Sequence, residues 1–340
     1  MFKMTLRIRD RPLMRECLAE FLGTFILMVF GTGVGAQFLL SHGKISSPVA
    51  GSMTWGIGVM MGIYVSGGVS GGHINPAVSV AMATLGRLPW YKVPGYCLAQ
   101  CLGSFAASGF VYLVYWEALD AFDGGFRQVD GTNGTAGIWS TYPQPYVSIW
   151  TCLGDQIFAT AVLLICVMGI SDPQNMQPPT GLFPVSIGLL VMALSMSYSL
   201  NCGNAMNPAR DFIPRIFTAL AGWELTPLRY RNYNFFWVNI IGPHIGAVLG
   251  AYIYQAFIGF HWPLPPSVDI PIGDLDNDQE KPWSEKEREA RRGNSGSTNS
   301  NHTKGVTSEH DKCMKIASIN KAFAGEVRFR RSARGQPHAT

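Results

Sequence analysis

Charge is what this chain has least of. Only 14% of its 340 residues are Asp, Glu, Lys or Arg, against the quarter usual in a soluble domain, so a solvated surface is excluded for most of its length. Seven cysteines include no Cys-x-x-Cys pair, which removes the usual spacing of a zinc or thiol–disulfide site. In apolar stretches, Cys17, Cys97, Cys101, Cys152 and Cys166 read as small buried residues. No nucleophile, base and orienting group come together along the sequence, so catalysis has no support. No metal or other cofactor is implied, and no nucleic-acid partner. No cleavable leader is expected, so the first apolar stretch is expected to act as the insertion signal.

What the chain has instead is apolar length. Hydrophobic residues make up 47% of it, with nine Trp. Six stretches, at about 17–40, 49–69, 93–116, 149–170, 182–200 and 235–260, approach the roughly 20 residues that cross a bilayer. The chain is expected to divide into a short N-terminal segment (1–15), a membrane domain (16–260) and a disordered tail (261–340), which is rich in Pro and then in charge. The tail carries a capping-box pattern at 284–287, a sequon at Asn301 and a basic run at 328–334 around Ser332.

Within the membrane domain the tripeptide Asn75-Pro76-Ala77 returns as Asn207-Pro208-Ala209, 132 residues later, each time after a Gly-containing run. Asn is a strong N-cap, and Pro suits the first helical position because its missing N–H costs nothing there. Each tripeptide therefore predicts a helix start with an amide NH2 to spare. The apolar pieces that follow, 76–85 and 208–220, are too short to span. A ten-residue helix is about 15 Å long, half the hydrocarbon thickness. Two such half-helices meeting at their N-termini would make a seventh, broken span. Irregular backbone at that depth is tolerated where it lines a wet cavity.

The halves repeat elsewhere: Cys17-Leu18 matches Cys152-Leu153, and Glu20 corresponds to Asp155. Three spans per half force the halves (about 16–118 and 149–260) to insert with opposite topology, an inverted repeat with its site at the midplane. Lys3, Arg7, Arg9, Arg11 and Arg15 before the first span, with Arg87 and Lys92, put both termini in the cytoplasm. Arg229 and Arg231 count against that orientation. The 117–148 connector is then external, with an acidic bias and the sequon Asn133-Gly134-Thr135. Gly58 and Gly62, with Gly242, Gly246 and Gly250, form ladders of small residues for close helix packing.

Ala19-Glu20-Phe21, Gly72-His73-Ile74-Asn75-Pro76-Ala77, Gly86-Arg87-Leu88-Pro89-Trp90 and Asn207-Pro208-Ala209-Arg210-Asp211 carry a resemblance, over residues 15–260, to the aquaporin family and its glycerol-conducting branch in particular. The Asp after Arg210 marks the branch. It implies an all-α membrane protein of six transmembrane helices and two re-entrant half-helices, a homotetramer, and a passive pore for glycerol and water in each subunit. Matching residue by residue implies a selectivity filter of Trp55, Ser195, Asn204 and Arg210. Backbone carbonyls of Gly71, Gly72, His73, Gly203, Asn204 and Ala205 would supply a ladder of acceptors. His73 is expected to pack behind its loop. Glu20 and Asp155 are expected to brace the two loops, and Asp211 to hold the loop around Arg210. Cys202 is the cysteine placed to meet a mercurial near the pore. Asn204 departs from the branch, where an aromatic is frequent, and opens the filter to urea. Two other classes compete. A coupled transporter needs free carboxylates at the midplane, and a scaffold that conducts little has no need of intact boxes.

Overall fold

The structure, a computed structural model, describes residues 10–263. The basic residues Lys3, Arg7 and Arg9 and every expectation for the tail, from the 284–287 capping box to the 328–334 run, lie outside the described residues. Ten α-helices occur among those described: α1 (Pro12–Leu40), α2 (Pro48–Ser70), α3 (Pro76–Thr84), α4 (Val93–Val114), α5 (Trp116–Asp123), α6 (Ile149–Ser171), α7 (Phe183–Tyr198), α8 (Pro208–Leu220), α9 (Thr226–Tyr233) and α10 (Val238–Phe257). Six segments built on α1, α2, α4, α6, α7 and α10 are long and apolar enough to cross a membrane. No strand forms among the described residues; the 117–148 connector holds one isolated bridge, Gln128 to Gly134.

The spans begin where proline permits. Pro12, Pro48, Pro94 and Pro184 lie in the first helical turns of α1, α2, α4 and α7, where a missing N–H is harmless. Helix α1 therefore starts five residues ahead of the apolar stretch. It carries Glu16 inside, paired with Lys92 at 2.8 Å and bonded by the Tyr96 hydroxyl at 3.0 Å. Helix α10 starts later than its apolar stretch, because Arg231, Asn232 and Tyr233 adopt left-handed backbone and break the chain after α9 begins. Arg231, which counted against an external position, spends its guanidinium on the carbonyls of Val147 (2.6 Å) and Gln144 (2.8 Å).

Helix α1 packs on α4 in the first half as α6 packs on α10 in the second; α1 also packs closely on α2, whereas α7, the counterpart of α2, lies more against α2 than against α6. The glycine ladders are these contacts. A Cβ on Gly62 would lie 2.6 Å from the Gly23 carbonyl, and one on Gly250 would lie 2.2 Å from the Ala161 carbonyl. At the end of α10, the Tyr254 hydroxyl and Trp262 indole both donate to Asp172, at 2.8 Å each.

Gly250→Ala should push α10 off α6 and cost about 1–3 kcal/mol, the usual penalty of overpacking. Gly154→Ala, with no atom near its added methyl, should be neutral or slightly stabilising. Thermal midpoints of the two variants in detergent, compared with the parent chain, check this.

Candidate functional site

Both tripeptides start helices as the sequence predicts. The Asn75 side-chain oxygen accepts from Ala77 N at 2.9 Å, and that of Asn207 from Ala209 N at 3.0 Å and Arg210 N at 3.3 Å. The amide ends do more than wait for a solute. Asn75 Nδ2 donates to the Met206 carbonyl at 2.9 Å, and Asn207 Nδ2 to the Ile74 carbonyl at 2.8 Å. Each loop thus accepts a bond from the other loop's cap. One hydrogen of each NH2 is consumed and one is left, a correction to the expectation of wholly free donors. Ile74 and Met206 sit in left-handed backbone, with φ of 44° and 46°, a conformation costly for any residue with a side chain and most of all for β-branched Ile74. The same turn in both loops presents these two carbonyls to the opposite cap.

The loops are held from behind by unlike residues. Glu20, fully buried, accepts from His73 N (2.9 Å) and Ile74 N (2.6 Å), and from Ser70 Oγ and Gln100 Nε2. That is the expected brace. Asp155 is not its counterpart, because its carboxylate meets the Cys202 thiol at 3.4 Å. Gln156 braces the second loop, accepting from Met206 N at 3.1 Å and donating to the Gly203 carbonyl at 2.8 Å. A carboxylate could only accept, whereas an amide side chain satisfies one donor and one acceptor of the same loop. The Gly203 carbonyl is therefore turned toward Gln156, again unlike the expected ladder. Carbonyls of Gly71, Gly72, His73, Asn204 and Ala205 receive no backbone donor among the described residues. Cys202 is buried beneath Asp155 and Gln156 and does not line the cavity, so the mercurial expectation falls. His73 both packs and lines: its Nδ1 lies 3.1 Å from Ser79 Oγ, its ring stands edge-on to Tyr96, and it borders the cavity.

A cavity of about 1150 Å³ runs past both caps and contains all four filter positions, Trp55, Ser195, Asn204 and Arg210, in its lining. Pro76, Ala77, Pro208 and Ala209 are buried behind it. The Arg210 guanidinium carbon lies 3.9 Å from the centre of the Trp55 ring, and its Nη1 donates to the Trp139 carbonyl at 3.1 Å. Trp55 lies flat against Gly31, where an added Cβ would fall 2.1 Å from the ring. Asn204 Nδ2 donates to Ser195 Oγ at 3.3 Å, and its Oδ1 has no partner among the described residues.

Asp211 holds the segment that positions Arg210, as expected, and through partners that sequence reasoning missed. Fully buried, it accepts from Thr141 N (2.6 Å), Thr141 Oγ1 (2.7 Å), Asn239 Nδ2 (2.8 Å) and the Arg215 guanidinium (3.1 Å). Arg215, also fully buried, donates further to the carbonyls of Thr141 and Pro227. The 117–148 connector is thereby fixed beside Trp139, whose carbonyl orients Arg210. The i,i+4 spacing of Asp211 and Arg215 on a half-helix was a readable signal of that pair; a backbone acceptor such as Trp139 leaves none.

Two half-helices joined cap to cap across a polar-lined cavity, inside a bundle of membrane-spanning helices, define a membrane channel. The profile of the major intrinsic protein family matches residues 7–254, and the chain belongs to that family. It is 48% identical to aquaporin-9 of Homo sapiens over 267 residues, which cover 78% of this chain and 90% of that protein. It is 47% identical to aquaporin-10 of Milnesium tardigradum over 279 residues, 78% of this chain and 68% of that one. The crystal structure of the aquaglyceroporin from Plasmodium falciparum is similar with a TM-score of 0.66 at 28% identity, covering 72% of this chain and 97% of that structure. The molecule is a multi-pass, passive membrane channel of the aquaporin type and not an enzyme.

Gln156→Leu should free the second loop and lower solute flux at least about tenfold, since two buried loop bonds are lost at about 1 kcal/mol or more each. Asp155→Asn should leave flux within about twofold, because its carboxylate makes no loop backbone bond. Flux per channel in proteoliposomes, at matched protein, separates the two.

Proposed function

We propose that the pore conducts urea alongside glycerol and water, all as neutral molecules, and rejects protons and other ions. The observation that carries this reading is the filter: a pinned guanidinium stacked on Trp55, with the unpartnered Asn204 Oδ1 in the same cavity. Trp55 offers an apolar face for the CH edge of a polyol. Arg210 donates to hydroxyl or carbonyl oxygens, and Asn204 Oδ1 accepts from O–H or N–H. Ser195 is small, so the hole stays wide enough for a three-carbon chain. Urea, all donors and one acceptor, gains most from a polar residue where an aromatic would stand.

Past the filter, the carbonyls of Asn204, Ala205, His73, Gly72 and Gly71 accept in sequence from the solute. At the midplane the remaining amide hydrogens of Asn75 and Asn207 donate to its oxygen. A water that accepts two such bonds has no lone pair with which to relay a proton. The half-helix N-termini add about +0.5 elementary charge each, which repels cations, and Arg210 adds a full charge in a dry constriction. This logic of half-helix dipoles and a filter arginine is the general one for aquaporin pores. A coupled transporter needs an acid facing the solute path, and the carboxylates within the helices nearest it, Glu16, Glu20, Asp155 and Asp211, do not line the cavity.

The channel is proposed to act as a homotetramer in the plasma membrane, with both termini cytoplasmic and the 117–148 connector outside, carrying a glycan at Asn133.

Stopped-flow shrinkage of proteoliposomes tests the reading. Glycerol uptake should be linear in concentration and indifferent to proton or sodium gradients, and accumulation above the outside concentration would overturn it. Arg210→Ala should admit protons or cations while water flow persists, read by a pH-sensitive dye inside the vesicles. Asn204→Phe should lower the urea-to-glycerol permeability ratio, since the polar acceptor is lost and an apolar wall is gained. About 1.4 kcal/mol of barrier is tenfold in rate, so a modest change is measurable, and an unchanged ratio would remove Asn204 from the filter.

A further inference from the structure

We propose that Asn133 can receive its glycan only before the external connector folds, because the finished fold buries the hydroxyl that makes the sequon readable. The proposal rests on the reading above that this connector faces the lumenal side. Asn133 itself is exposed. Thr135, the other half of the sequon, is fully buried, and its Oγ1 donates to Asp123 Oδ2 at 3.2 Å. Thr135 N and Ala136 N are both committed to the Gln128 carbonyl, at 2.9 and 3.3 Å. Between them Gly134 sits so close to Asp130 that an added Cβ would lie 2.8 Å from its backbone. The segment has no slack with which to lift Thr135 outward while the rest stays docked.

The lock behind Thr135 is an ion pair in an aromatic box. Asp123, almost fully buried, also holds Arg127 at 2.5 Å and Gly125 N at 3.0 Å. The Arg127 guanidinium carbon lies 5.6–5.7 Å from the ring centres of Tyr112, Trp116 and Trp223. Trp223 closes the box and donates its indole N–H to the Gln128 carbonyl at 3.0 Å, the same oxygen that takes the Thr135 and Ala136 amides. In chain order Trp223 comes 90 residues after Asn133. A growing chain therefore exposes the whole sequon for the time needed to make and insert α6, α7 and α8, and closes it when Trp223 docks.

The step concerned is glycosyl transfer. The Asn133 amide nitrogen bonds to the anomeric carbon of a diphosphate-linked oligosaccharide. The carbon–oxygen bond to the diphosphate breaks, the diphosphate departs with the electron pair, and the amide proton passes to a base of the transferase. The transferase must read the Thr hydroxyl at the same moment, which the bond to Asp123 prevents.

The test uses the full-length chain made in bacteria, hence unmodified, folded in lipid discs and offered to a purified oligosaccharyltransferase with a lipid-linked donor. Transfer is read by intact mass and compared with the peptide spanning 128–138. The folded chain should react at least about tenfold more slowly than the peptide, the factor set by one buried hydrogen bond. Asp123→Ala and Arg127→Gln, each verified as folded by its glycerol flux, should regain most of the peptide's rate. A folded parent chain that reacts as fast as the peptide overturns the proposal, and so do folded variants as slow as the parent. A peptide that is not modified at all removes the sequon as an acceptor. A modified peptide with no glycan on the chain made in a eukaryotic secretory membrane instead removes the lumenal placement.

Discussion

Two hydrogen bonds at the centre of the bundle, Asn75 to the Met206 carbonyl and Asn207 to the Ile74 carbonyl, tie together everything else in this channel. Half-helices of nine and thirteen residues are too short to bury their own ends in a bilayer, and unsatisfied backbone there costs several kcal/mol per group. The reciprocal bonds remove two of those costs at once, one from each half. They also set the separation of the caps, and with it the size of the polar site through which a solute passes. The left-handed backbone of Ile74 and Met206 is the local strain that this arrangement sustains. Glu20 and Gln156 hold it in place from outside the pore.

Much of this was legible in the sequence, for reasons that can be stated. The caps, the half-helices and the broken span follow from Asn-Pro chemistry and from lengths too short to cross. Glu20 was legible because a lone carboxylate in an apolar stretch needs donors, and a Gly-rich loop supplies them. Trp55, Ser195, Asn204 and Arg210 were matched by resemblance and do come together around one cavity. Gln156 was missed because pairing acid with acid favoured Asp155 one residue away; the second loop needed both a donor and an acceptor, which charge alone does not signal. The bonds between the caps and the opposite loops could not be read, since they join side chains to carbonyls 131 and 133 residues distant. Helices α5 and α9 were not foreseen either, each being only eight residues long in a connector.

The filter shows how far its support extends. Arg210 belongs to α8, its carbonyl partner Trp139 to the 117–148 connector, and the Asp211 network reaches Asn239 in α10 and Pro227 in α9. Three helices of the second half and the connector between the halves therefore set the position of one guanidinium. The buried Asp211–Arg215 pair serves orientation here, and ion pairs of that kind are poor stabilisers when judged by energy alone. The first half, by contrast, contributes to the filter mainly one ring, laid in the gap left by Gly31.

That ring and the guanidinium form a single object. With 3.9 Å between the Arg210 carbon and the Trp55 centre, the ring shields the cation on one side, and the charge is offered to a solute from the sides the ring leaves open. The apolar wall and the positive charge are thus mechanically coupled, and neither can be adjusted without moving the other. On the filter reading proposed above, a change of pore width at Trp55 would shift the charge that rejects ions in the same step, so that size preference and charge exclusion would vary as one trait.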